Sequence, residues 1–232
     1  MINATRLHSD LSRLNRETEM FLATVASLSD DELAAPSLCA GWTRADVVAH
    51  LTSNGPALVK LIDWAATGEE QQLYASPDAR AREISSLAAL PREGLMIKLR
   101  ESAQFFAEQA QRLGGDLALG EVHLHGKKIP ATAIVALRIS EIVVHHHDLD
   151  TAWTIEEADP DSLLDALEAA VRTMRAKNAP GMTLVTEERD EWIIGDGALR
   201  VASDREGMLE WLARGHAENV ESDGPLPELP SW

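Results

Sequence analysis

The chain has 232 residues, a single cysteine, eight histidines and a formal net charge of −17. So acidic a chain, with only short basic pairs such as Lys127–Lys128, is a poor partner for phosphate backbones, and one cysteine excludes both an intrachain disulfide and a cysteine-based structural zinc site. The opening MINATRLHSDLSRL has no apolar signal core, and no run approaches the roughly 20 apolar residues of a membrane helix, so a soluble, cytoplasmic, monomeric protein is expected.

Apolar residues from Leu7 to Leu28 follow helical spacing and predict a first long helix. Ser29 and Glu32 offer a capping box for a short turn, and a loop of small residues runs from Ala35 to Trp42. Thr43, with Asp46 in the first turn, caps a second long helix that reaches about Ala66 before Gly68. A shorter helix is expected over Pro77–Leu87, and another from Pro91 to Leu113, ended by Gly114–Gly115. Alternation over Glu121–Ile129 reads as an extended or hairpin segment, and Pro130–Trp153 as a further long helix. Four long helices predict an up-and-down bundle.

After Trp153 the texture changes. A helix near Asp161–Lys177, short β runs at Met182–Thr186, Glu191–Ile194 and Ala198–Ala202, and a helix at Arg205–Gly215 predict a small α+β domain. The expected division is residues 1–155 for the bundle and 156–232 for the α+β domain, with an extended Pro-rich end, PLPELPSW.

The chemistry concentrates in RISEIVVHHHDLD. At 100° per residue, Arg138, Glu141, His145 and Asp148 share one helical stripe with Ile134 and Leu149, whereas His146 and His147 point elsewhere. Polar groups on a buried stripe need partners or a ligand. Glu141 and His145 lie one turn apart, within reach of one cation, and His50 occupies the apolar face of the helix that Thr43 caps, with Val47, Leu51, Asn54 and Leu58. If these helices pack together, His50, Glu141 and His145 form a His2Glu set with an open fourth position, the pattern of a catalytic zinc. The alternative is a hydrogen-bonded Glu–His pair and a satisfied core histidine.

The runs GWTRADVVAHLTSNGPAL, WAATGEEQQLYASPDARAREI and RISEIVVHHHDLD, with the RG of WLARG, resemble the mycothiol-dependent maleylpyruvate isomerases. The resemblance implies a DinB-like four-helix bundle carrying a zinc-type divalent metal on His50, Glu141 and His145, followed by a small α+β domain. It also implies a catalytic arginine at Arg214. Arg80 is a candidate for holding a substrate carboxylate or the cofactor, with a surface position as its alternative, and Asn54 for lining the pocket or bonding the ligand. Arg138 and Asp148 read as ligand contacts or supports of the metal shell.

Tyr74, His123, His125 and His216 are weaker candidates, and Cys39 reads as a small loop cysteine rather than a nucleophile. The activity implied is mycothiol-dependent conversion of maleylpyruvate to fumarylpyruvate by thiolate addition, bond rotation and elimination. The dianionic substrate requires a locally positive pocket in an acidic chain, with binding expected between the domains. The rivals are a mycothiol S-transferase, a non-catalytic metal- or thiol-binding bundle, and a purely structural bundle.

Overall fold

A computed structural model describes residues 4–124 and 127–230. The chain divides into two compact units, residues 1–153 and 154–232.

The first unit is built on helices α1 (Ala4–Ser27), α3 (Arg44–Thr67), α5 (Arg92–Ala110) and α6 (Ala133–His147), with α2 (Asp30–Ala34) and α4 (Pro77–Ala88) in the connections. A short antiparallel pair, β1 (Glu121–Leu124) and β2 (Lys127–Pro130), precedes α6. The expected bundle is present. Its main packing order is α1–α6–α3–α5, so α1 and α3, consecutive among the long helices, lie across from each other rather than side by side. The connection through α2 is long enough to make that crossing.

Helix α3 is central and is buried on almost every side, which its polar residues must accommodate. Both halves of the predicted capping box form: the Thr43 hydroxyl accepts from the Asp46 amide, and the Asp46 carboxylate accepts from the Thr43 amide. Gly68 closes the helix in the left-handed conformation (φ 80°). Within the helix, Pro56 has no N–H to offer the Thr52 carbonyl. Ser102 of α5 replaces that donor, its hydroxyl lying 2.7 Å from the Thr52 carbonyl oxygen. Gly55 permits the approach, since a Cβ there would come within 2.5 Å of Ser102 Oγ.

Helix α6 is shorter than the predicted Pro130–Trp153, beginning at Ala133 and ending at His147. The chain turns at Asp150, which takes a positive φ of 50°. Arg44 holds this turn by donating to the carbonyl oxygens of Leu149 and Asp150, and the Leu38 amide donates to that of Asp148. Asp148 therefore lies just beyond the helix rather than within it.

The second unit contains α7 (Pro160–Ala176), β3 (Met182–Thr186), β4 (Glu191–Ile194), β5 (Leu199–Ser203), α8 (Arg205–Arg214) and β6 (Glu221–Ser222). Its sheet has the order β4-β3-β5-β6, with β3 and β5 parallel and the other pairs antiparallel. Met182, Leu184 and Val201 are buried in the sheet, and α7 packs against α8. The α+β expectation holds, and β6 adds a strand that was not among the three expected β runs. Asp190 joins strand to helix here: Arg205 donates to both of its carboxylate oxygens, at 2.6 and 3.0 Å.

No helix among the described residues is long and apolar enough to cross a membrane.

Candidate functional site

His50 from α3 and Glu141 and His145 from α6 come together where these two helices pack. His50 Nε2 lies 2.9 Å from Glu141 Oε2, and His145 Nε2 lies 3.6 Å from the same oxygen. One ligand atom from each residue falls within 4.8 Å of the other two. Zinc bonds of about 2.0–2.1 Å at tetrahedral angles place neighbouring donors about 3.3 Å apart. The 2.9 and 3.6 Å separations bracket that value, so two imidazoles and a carboxylate fit a divalent cation. The Glu141 side chain retains 30% of its exposure, so the trio is open on one side.

The other nitrogen of each histidine is also engaged. His145 Nδ1 lies 2.6 Å from Asp148 Oδ2, a fully buried carboxylate that also accepts from the Cys39 thiol at 3.2 Å. Orienting partners of this kind fix the ring and raise the basicity of the free nitrogen. His50 Nδ1 lies 3.1 Å from Arg80 Nη2. A guanidinium only donates, so Nδ1 accepts and Nε2 carries the proton given to Glu141. A cation bound at Nε2 requires the other tautomer, which takes this acceptor away from Arg80.

The trio is strongly polarised. Burial pushes His50 down to about 4, helped by His145 and Arg80 and opposed by Glu141, so its ring is neutral at physiological pH. Burial pulls His145 the same way, but its bonds to Asp148, Cys39 and Glu141 outweigh it and hold this imidazole well above its ordinary value. Burial would raise Glu141, yet hydrogen bonds from His145 and His50 hold the carboxyl well below the usual range. Without a cation, one imidazolium thus sits between the Glu141 and Asp148 carboxylates.

The remaining candidates separate by location. Arg80, on α4, lies at the edge of the trio with its guanidinium 5.8 Å from the centre of the Tyr74 ring. Tyr74 is half-buried, and its hydroxyl oxygen accepts weakly from Ser53 Oγ at 3.4 Å. Arg138 makes no hydrogen bond to either histidine among the described residues; it donates to Asn54 Oδ1 at 2.7 Å. His146 is structural: it stacks on Trp153 at 3.8 Å, and its Nε2 meets Thr24 Oγ1 at 2.7 Å. His123 is exposed on β1, with its ring 5.7 Å from Trp64, and His125 lies outside the described residues. Arg214 belongs to the second unit, where it ends α8 and donates to the Ala213 carbonyl oxygen; His216 is exposed just beyond it.

Cys39 is the contact that sequence reasoning missed. It lies in a loop without periodicity, and only the fold brings it to Asp148, 109 residues away. Cys39, His145 and Asp148 form a second group of potential ligands that shares His145 with the first.

The chain is similar to several known proteins. Two uncharacterized proteins of Mycobacterium tuberculosis, from strains CDC 1551 and H37Rv, are each 27% identical over 156 residues, covering 67% of this chain and 74% of theirs. The crystal structure of a mycothiol-dependent maleylpyruvate isomerase superposes with a TM-score of 0.84 at 28% identity, covering 97% of both chains. A histidine-to-alanine mutant of such an isomerase gives the same TM-score and coverage at 27% identity. Residues 14–150 match the model of the mycothiol maleylpyruvate isomerase N-terminal domain, which takes in α3, α6 and the whole trio, and the chain belongs to that family.

Proposed function

We propose that the protein catalyses the mycothiol-dependent cis–trans isomerisation of maleylpyruvate to fumarylpyruvate, by thiolate addition across the cis double bond, rotation about the resulting single bond and elimination. The observation that carries this reading is the His50–Glu141–His145 cluster, open at Glu141 and edged by Arg80. A divalent metal of the zinc type, when bound by these three residues, supplies a Lewis acid that lowers the pKa of a thiol at its open position.

The chain's own residues do the rest. Asp148 orients His145 through Nδ1 and keeps Nε2 aimed at the site. Arg80, whose guanidinium reaches His50 Nδ1, presents a planar donor fork for a carboxylate or for the cofactor, and Asn54, one turn beyond His50 on α3, is assigned to cofactor binding. Arg214 serves as the catalytic arginine that stabilises the developing negative charge of the substrate. Arginines and a divalent cation make a positive pocket for a dianion in a chain of net charge −17. A cytoplasmic monomer is consistent with a reduced thiol cofactor and a small-molecule substrate.

Incubation of the zinc-loaded protein with maleylpyruvate, with and without mycothiol, tests the reading by the absorbance of the conjugated double bond. Thiol-dependent formation of fumarylpyruvate is expected, with loss of activity in Glu141→Gln and Arg214→Ala. No thiol-dependent change overturns the isomerase, and accumulation of a thiol adduct assigns an S-transferase instead.

A further inference from the structure

Arg138 is 2% exposed, yet its guanidinium is poorly matched by its surroundings. Of its five N–H donors, one meets a protein acceptor among the described residues, Asn54 Oδ1 at 2.7 Å. Its other close partner is the Phe106 ring, whose centre lies 6.0 Å away, and it forms no ion pair among the described residues. Burial lowers Arg138 to about 10, so it remains a cation at neutral pH. Asn54 is equally suggestive. It is 6% exposed, its oxygen is committed to Arg138, and its NH2 group makes no hydrogen bond among the described residues.

None of the remaining Arg138 nitrogens, nor Asn54 Nδ2, is among the fully buried side-chain atoms that lack a partner, so these donors still reach space a ligand can fill, and a largely buried cation without an ion pair is stabilised by an anion placed there. The nearest acid is Glu141, one turn along α6, and its carboxylate is committed to His50 and His145. Two adjacent donor groups, one a planar fork, match a carboxylate in shape and charge.

We propose that Arg138 and Asn54 form a carboxylate subsite that holds one end of a small dicarboxylate, one helical turn from the Glu141 ligand position. This rests on the isomerase reading for the identity of the natural ligand, but the subsite itself is defined by α3 and α6 alone. Arg138 donates through its free N–H groups and Asn54 through its NH2. The opposite end of the ligand is left towards the histidines, which places its double bond near the open side of the trio.

The test uses maleate, an unreactive cis-dicarboxylate in the absence of thiol, titrated calorimetrically into the zinc-loaded full chain. Wild-type protein binds it. Arg138→Gln weakens binding by about tenfold or more, as expected for loss of a charge-assisted bidentate contact. Arg138→Lys, which keeps the charge but not the fork, falls between. Asn54→Asp introduces an internal counter-ion for Arg138; it weakens maleate binding comparably and melts no lower than wild type.

Zinc stoichiometry and circular dichroism verify each variant, and Asn54→Asp decides the matter if Arg138→Gln does not fold. No maleate binding by wild type at millimolar concentration, or wild-type affinity in either Arg138→Gln or Asn54→Asp, overturns the subsite. Arg138-dependent maleate binding in a protein that never isomerises maleylpyruvate overturns the activity and leaves the subsite standing. Thiol-dependent turnover with maleate binding indifferent to Arg138 overturns the subsite alone.

Discussion

Replacing Asp148 by Asn tests the proposed metal site without changing His50, Glu141 or His145. Asp148 is fully buried, and its Oδ2 accepts from both His145 Nδ1 at 2.6 Å and Cys39 at 3.2 Å. Asn has the same shape and retains an acceptor oxygen but loses the charge. A charge-assisted hydrogen bond is about twice as strong as a neutral one, and loss of an orienting partner of a metal histidine costs about 10–100-fold in metal affinity. That range is the expected loss of zinc affinity, read by competition with a chromophoric chelator.

Proton competition adds a signature. In the metal-free protein His145 is held well above its ordinary value, so zinc must displace a proton from it. Wild-type affinity therefore rises by about tenfold per pH unit while that proton is bound, whereas the variant holds the proton less tightly and rises less. The gap between the two therefore widens as pH rises, reaching its full size once the wild-type His145 proton is lost and narrowing below that point. Equal affinities above that point, or a gap independent of pH, would refute the assignment of Asp148 as the group that orients His145.

Other expectations concern the scaffold. Ser102→Ala leaves the Thr52 carbonyl without its donor and should cost about 1–3 kcal/mol in urea unfolding; adding Pro56→Ala restores a backbone N–H, so the double variant should recover part of the loss. A Ser102→Ala penalty that Pro56→Ala does not reduce would show that the hydroxyl acts in some other way. Asp190→Asn should lower stability by about 1–2 kcal/mol at neutral pH, because a bidentate pair with side chains only 19% and 17% exposed is lost. The hydrogen bond from Arg205 depresses the folded-state value of Asp190, so the wild-type advantage is fully present above the ordinary carboxylate value and disappears as pH falls through the lower folded one. A gap that persists in strong acid would contradict this. Glu206 works in the opposite direction: burial, then the hydrogen bond and charge of Glu156, then Glu210 and Asp204 push it up to about 7. The folded chain holds an extra proton between the ordinary glutamate value and about 7, so stability falls as pH rises through that window. Glu206→Gln should raise the melting temperature at about pH 8 and not at about pH 4, and an equal shift at both would exclude ionisation as the cause.

The features legible in the sequence were those that repeat along one element. Thr43, Asp46 and Gly68 bound α3 because capping is local chemistry. Glu141 and His145 share a face because helical geometry alone puts them there, and His50 falls on the buried face of α3. The early end of α6 was not legible. It depends on Arg44 bonding carbonyl groups more than 100 residues away, a tertiary contact with no local signal. Cys39 was missed for the same reason. Arg138 was visible on the stripe, but its pairing with Asn54 required knowledge of which helices are neighbours. The packing order α1–α6–α3–α5 likewise leaves no periodic mark, because every bundle helix needs an apolar stripe whichever partner it meets.

That packing order has a consequence for how the chain is held together. His50 and Glu141 are 91 residues apart, and the helices that carry them are neighbours only in the finished bundle. An ion gripped by both, as proposed above, would act as a removable clasp on a long chain segment. Covalent closure of a loop of about 100 residues removes roughly 4–5 kcal/mol of unfolded-state entropy, and a coordination bond works against the same entropy for as long as it lasts. A peptide spanning α6 alone carries Glu141 and His145 but has no loop to close, so it would gain none of this tightening.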